Sequence, residues 1–191
     1  MIDSTSGFGF TEAQEMFRRE VANFAQKELA PGAKQRAKQD SIDRDIFKKL
    51  SDMGFLGLTL PEKYGGQPAD WVTCGILVEE VSKADFSMGL CLPLVWLLGS
   101  ILLQAPEEVQ QEWIPSLIKT EKLICFAATE PDSGSDLAAL KTRAVRDGDS
   151  YVLNGEKTSI TLGMQADACL VFAKTDPAAG ARGKSACSLC L

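Results

Sequence analysis

One stretch carries most of the chemistry available to this chain: Ala127-Ala-Thr129-Glu130-Pro131-Asp132-Ser133-Gly134-Ser135-Asp136. A β-prone run ends in Thr129, and a turn rich in Pro, Gly and Ser follows. Its hydroxyls and backbone N–H groups can hydrogen-bond a flat, electron-rich heterocycle or a phosphate without contributing charge. A solvated polar turn has the same composition. The stretch is neither a GxGxxG fingerprint nor a Walker loop, so those phosphate geometries do not apply. The 191 residues contain no His. That excludes a Ser-His-Asp or Cys-His nucleophile, a His-ligated metal and an imidazole acid or base within this chain. A bound cofactor or a carboxylate has to do the chemistry. Cys187-Ser-Leu-Cys190 is formally a CxxC, but without a second pair or a His it is a weak metal or redox signal, and no metal site is assigned.

The elements that position the stretch are read from periodicity. Thr11 and Gln14 have capping-box spacing, and Phe17, Val21, Phe24, Ala25 and Leu29 follow at helical intervals until Pro31-Gly32, which is expected to end the helix. Asp43 opens a second helix, with Ile46, Phe47, Leu50 and Met53 on one face and Gly54 closing it. Residues Gly57 to Gly66 are extended and then turn. A third helix covers Trp71 to Asp85, with Ile76, Leu77, Val81 and Ala84 inward. Phe86 to Ala105 carries no charge and is long enough to span a bilayer. It has polar and Gly interruptions and no flanking Lys or Arg cluster, so it reads as a helix buried on all sides. Pro106, Glu107 and Glu108 start a fifth helix that ends near Thr120.

From Leu123 onward the pattern changes to short β-prone runs: Leu123–Thr129, Thr142–Arg146, Tyr151–Asn154, Lys157–Thr161 and Ala168–Lys174. Asp147-Gly148-Asp149 and Asn154-Gly155 are hairpin turn signals. The fold class is therefore α+β. An all-α domain over residues 1–122 precedes an incomplete antiparallel β-barrel or sandwich domain over residues 123–191.

Composition sets outer limits. With 20 Lys and Arg against 26 Asp and Glu, the net charge of −6 argues against nonspecific binding to nucleic acid or anionic lipid. Cys74, Cys91, Cys125 and Cys169 sit among apolar neighbours, and Met1 to Phe10 has neither a basic start nor an apolar run. A cytoplasmic chain with free, buried thiols and no membrane span is expected.

Thr129-Glu-Pro-x-x-Gly134-Ser135-Asp136 resembles the flavin-contacting signature of the acyl-CoA dehydrogenases, usually written TEPxAGSD. The order that follows is similar to theirs as well: Leu140-Lys-Thr142, then Gly148-Asp-x-Tyr151-x-Leu-Asn154-Gly155-x-Lys157-x-x-Ile160-Thr161-x-Gly163. Upstream, Gly54-Phe-Leu-Gly57-Leu-x-Leu-Pro61-Glu-x-Tyr64-Gly65-Gly66 resembles the family's linker, and Val78-Glu-Glu80 with Ala84-Asp85 its third helix. The resemblance runs from about residue 10 to about residue 176 and implies FAD as cofactor. Phe126, Ala128 and Thr129 would lie along the isoalloxazine, with Thr129 hydrogen-bonding the ring. Gly134 and Ser135 would contact the flavin, and Ser135 also the thioester or pantetheine end of an acyl-CoA substrate. Ser159, Ile160 and Thr161 would occupy a strand facing the flavin, Thr161 near its redox-active nitrogen. The Phe86–Ala105 helix would wall the acyl pocket. An electron-transfer flavoprotein as electron acceptor and a homotetrameric assembly are implied in the same way.

Departures from the family pattern matter as much. Ser159 stands where an aromatic residue usually packs on the flavin, and Asp132 and Ser133 replace smaller residues of the loop. The family's catalytic base is a Glu on a C-terminal helical domain, so no catalytic residue is assigned among these 191, and they are expected to be inactive alone. The final residues, Lys184-Ser-Ala-Cys187-Ser-Leu-Cys190-Leu191, replace an expected apolar strand as a frameshift or truncation would, leaving unpaired sheet edges. Two other functions share the fold: a non-catalytic partner of a complete homologue, and a flavin monooxygenase or nitroalkane oxidase.

Overall fold

The computed structural model describes residues 9–176 and 185–190. The chain divides into two compact units, Met1–Thr120 and Glu121–Leu191.

In the first unit, helix α1 (Glu12–Phe24) begins with the expected capping box: the Gln14 amide donates to Thr11 Oγ1 at 3.2 Å and the Thr11 amide to Gln14 Oε1 at 3.0 Å. Pro31 does not end the helical run. After α1 the backbone widens into a π-helical turn (Ala25–Leu29), tightens into a 3₁₀ turn (Ala30–Gly32) and continues as α2 (Ala33–Arg36). The change of register frees the Leu29 carbonyl, and the Arg36 guanidinium donates to it. Arg36 also pairs with Asp85 at 2.7 Å, both side chains buried.

Helix α3 (Arg44–Asp52) opens at Asp43, whose carboxylate accepts from the Asp45 and Ile46 amides, and it stops at Gly54 in the left-handed region, φ 77°. Helix α4 (Trp71–Ala84) is capped by Asp70 and packs against α1 and α5. Its inner face is Cys74, Ile76, Leu77 and Val81, and it also carries a buried carboxylate, Glu80, which Arg18 and Lys83 each reach at 2.9 Å.

Helix α5 (Phe86–Leu102) corrects the expectation of a helix buried on all sides. Met88, Leu92, Val95, Leu98 and Leu102 face the core, but Phe86 is 72% exposed, Leu90 48% and Leu97 44%. An unbroken apolar sequence hides this because it carries no amphipathic signal. At Gly99 a Cβ would lie 2.6 Å from Leu60 Cδ2, so any side chain there would force the buried Leu60 side chain to move. Among the described residues no helix is long and apolar enough to cross a membrane. Helix α6 (Glu107–Ile118) follows Pro106 and packs on α5.

The second unit is a mixed sheet, which corrects the purely antiparallel expectation. Its strands are β1 (Ile124–Ala127), β2 (Arg143–Asp147), β3 (Ser150–Asn154), β4 (Ala168–Lys174) and β5 (Ser185–Cys190). β1 runs parallel to β4, in register from Ile124↔Ala168 to Ala127↔Val171. β2 meets β4 in parallel at Arg143↔Lys174 and forms the expected hairpin with β3 across Gly148, φ 60°. In the unusual terminal segment, Ser185–Cys190 pairs as a strand: β5 is antiparallel to β4 from Cys169↔Cys190 to Lys174↔Ser185. The side chains of Cys187 and Cys190, and so the CxxC, lie outside the described residues. Cys74, Cys91 and Cys125 are buried thiols, and burial pushes Cys91 up to about 11.

The expected strand at Lys157–Thr161 is absent. After Asn154 the chain turns through Gly155, where a Cβ would lie 2.4 Å from Thr142 Oγ1. Ser159 (φ 55°) and Leu162 (φ 64°) then leave the extended region, and one ladder-like bond remains, Thr158 N–H to the Thr129 carbonyl at 3.0 Å.

Candidate functional site

β1 places Phe126 half-buried against Phe172, ring centroids 5.2 Å apart and nearly edge-on, and delivers Ala128 buried and Thr129 half-buried at its C-terminal end. Beyond it the chain makes a tight turn: the Glu130 amide donates to the Ser133 carbonyl at 2.8 Å, and Ser133 returns the bond at 3.2 Å. Ser133, itself buried, donates its hydroxyl to the Asp136 carbonyl at 2.7 Å. That internal bonding stiffens the loop and leaves Gly134 and Ser135 exposed at its tip. Ser159 and Thr161 are exposed and Ile160 is half-buried, in the turn that replaces the expected strand.

The turn is held from beneath by Glu130, which is 6% exposed. Its Oε1 accepts from the Thr142 amide at 2.8 Å and from Lys157 Nζ at 2.9 Å, and its Oε2 from the Lys141 amide at 2.6 Å. Burial alone would push this carboxyl up. The Thr142 side chain beside it, the Lys141 amide, the Lys157 ammonium and the Thr142 amide outweigh that cost and hold it at about 2. Lys157 spends a second N–H on the Ala128 carbonyl at 2.9 Å. At the loop surface, Lys141 Nζ pairs with Asp132 at 2.8 Å, both well exposed.

Two of the segments singled out in the sequence are thereby brought together. Residues 126–130 and 157–161 meet through the Thr158–Thr129 bond and the Lys157–Glu130 pair. Glu130 and Lys157 stand within the motifs, but their partnership is 27 positions long in sequence and leaves no local signal.

Residues 11–121 match the acyl-CoA dehydrogenase N-terminal domain and residues 125–191 the acyl-CoA dehydrogenase middle domain. This chain belongs to the acyl-CoA dehydrogenase family. It is 39% identical over 178 residues to an acyl-CoA dehydrogenase of Bacillus subtilis, a match spanning 92% of this chain and 47% of that protein. Among solved structures, a chain from that of the electron transferring flavoprotein of Acidaminococcus fermentans superposes with a TM-score of 0.85 at 36% identity, covering 96% of this chain and 49% of the other. A glutaryl-CoA dehydrogenase from Mycobacterium smegmatis in complex with FADH2 superposes with a TM-score of 0.81 at 30% identity, covering 87% and 44%. The chain thus spans about half the length of the relatives it matches.

Proposed function

We propose that this chain is the N-terminal part of an FAD-dependent acyl-CoA dehydrogenase, which takes the α,β hydrogens from an acyl-CoA thioester and leaves a 2-enoyl-CoA. The observation that carries the reading is the junction of the two segments expected to face the flavin, tied by the Thr158–Thr129 backbone bond.

The donor set fits a flavin. Thr129, Ser135 and Thr161 are neutral hydroxyls, and among the described residues no hydrogen bond occupies them. When bound, FAD supplies the hydride acceptor. Thr129 and Thr161 hold and orient the ring, their neutral donors favouring negative charge that develops on it. Phe126, Ala128 and Ile160 supply apolar contact, Gly134 leaves room for close approach, and Ser135 anchors the thioester end of the substrate. Glu130 is not the proton-abstracting base. Buried under several donors and held at about 2, it is too acidic to take a proton near neutral pH. The base and the contacts that build a tetramer are assigned to the part of the protein that these residues do not cover, and an electron-transfer flavoprotein is the proposed electron acceptor. A cytoplasmic location agrees with the buried thiols of Cys74, Cys91 and Cys125.

FAD titrated with the purified chain is expected to lose fluorescence as it binds, and acyl-CoA is expected to leave its absorbance unbleached. Unquenched flavin overturns the cofactor reading. Bleaching with electron transfer to a dye overturns the assignment of the base elsewhere. Ser159, exposed where an aromatic residue usually packs, favours a second reading, oxygen chemistry on the same flavin, which oxygen uptake by the full-length protein would reveal.

A further inference from the structure

Lys157 is an unusual residue to bury beside a site built from neutral hydroxyls. Its side chain is 11% exposed and that of its partner Glu130 is 5%. A buried ion pair adds little net stability, because desolvation offsets most of the attraction. Its geometry is more informative than its energy. Lys157 Nζ binds the Ala128 carbonyl and Glu130 Oε1, each at 2.9 Å. The Ala128–Thr129 peptide is trans and planar, so its C=O and N–H point in opposite directions. With the carbonyl turned to Lys157, the Thr129 N–H faces away from the pair, and among the described residues no acceptor meets it. The residue after Lys157 donates to the Thr129 carbonyl, so one anchor sets both peptide planes of Thr129. We propose that Lys157 is a positioning residue: seated on Glu130, it fixes the Ala128–Thr129 peptide so that the Thr129 N–H is presented to the flavin, and it holds Thr158–Thr161 against the end of β1. The flavin half of this proposal rests on the function proposed above; the clasp itself does not.

The test uses the full chain and the variants Lys157→Met, Lys157→Arg and Glu130→Gln, read by amide hydrogen exchange and by FAD fluorescence titration. In Lys157→Met and Glu130→Gln, exchange at the Thr158 amide is expected to rise about tenfold or more, the size of a lost charge-assisted hydrogen bond, while β1–β4 ladder amides change by less than about twofold. Lys157→Arg should recover most of that protection. Unchanged exchange at Thr158 overturns the clasp. So does a parallel rise across the ladder, or failure of both disruptive variants to fold, since the pair would then support the whole sheet. FAD affinity is expected to fall about tenfold in Lys157→Met and to return with Lys157→Arg. Equal affinity in parent and Lys157→Met overturns the positioning role. A parent chain that does not quench FAD sinks the flavin reading alone, and the exchange measurement still decides the clasp.

Discussion

Glu130 shows how much one side chain can depend on its surroundings. In an unfolded chain its carboxyl titrates near 4.5; in the folded sheet it is held at about 2. The folded value is the lower one, so the carboxylate stabilises the fold fully above the unfolded value, and that stabilisation is lost as pH falls from about 4.5 toward 2. The groups facing it are the Thr142 side chain, Lys157 and the Lys141 and Thr142 amides, with Asp132 outside, on Lys141. Urea midpoints measured from pH 5 to pH 2 should therefore fall more steeply for the parent than for Glu130→Gln. Equal slopes would mean that other carboxylates dominate acid unfolding. The motif letters identify Glu130 as a member of the signature, but its partner Lys157 is brought in only by the fold.

The element that repays attention is the α4–α5 junction, where Asp85 serves two helices. Its carboxylate accepts from the Met88 amide at 3.3 Å, capping α5, and pairs with buried Arg36 at 2.7 Å. Asp85→Ala removes the cap and strands a guanidinium without a counter-charge, so a loss of about 3–5 kcal/mol is expected. Asp85→Asn keeps the cap and an acceptor and should cost less. Tryptophan fluorescence during urea unfolding reads both, since Trp71, Trp96 and Trp113 all lie in this unit. Equal losses for the two variants would show that the charge, not the cap, dominates. The sequence shows Asp85 as a helix boundary. It does not show Arg36, because Pro31 reads as a stop and the helical path instead runs on through a π turn and a 3₁₀ turn to bring Arg36 round.

For the molecule as a whole, the telling property is apolar surface left uncovered. In the helical unit Phe86, Leu90 and Leu97 are exposed along α5, and Trp71 is 77% exposed; in the sheet unit Val145 is 56% exposed and Tyr151 and Val152 are each 48% exposed. Within the helical unit, Phe86, Leu90 and Leu97 recur at helical spacing along one side of α5, and an apolar stripe of this kind marks a contact surface. The folded chain should bind 8-anilinonaphthalene-1-sulfonate in the absence of denaturant. Leu90→Glu with Leu97→Glu should reduce that binding while changing stability by no more than about 0.5 kcal/mol per site. A large loss of stability would mean that these side chains are packed in the folded chain.

What the sequence determined by itself is local in origin: the helix starts at Thr11, Asp43 and Trp71, the hairpin across Gly148, the change from helical to β-prone pattern, and the family signature from Thr129 to Asp136. Each depends on neighbours a few residues apart, where caps, turns and periodicity act. The tertiary structure alone decided the exposed side of α5, the parallel β1–β4 register, the turn in place of a strand at Lys157–Thr161 and the Glu130–Lys157 pair. Those depend on which distant surfaces meet. A uniformly apolar helix has no face to read, and a strand-like run stays extended only if a neighbouring strand meets its N–H and C=O groups. At Lys157 the chain instead turns, and its ammonium meets the buried Glu130 carboxylate at 2.9 Å.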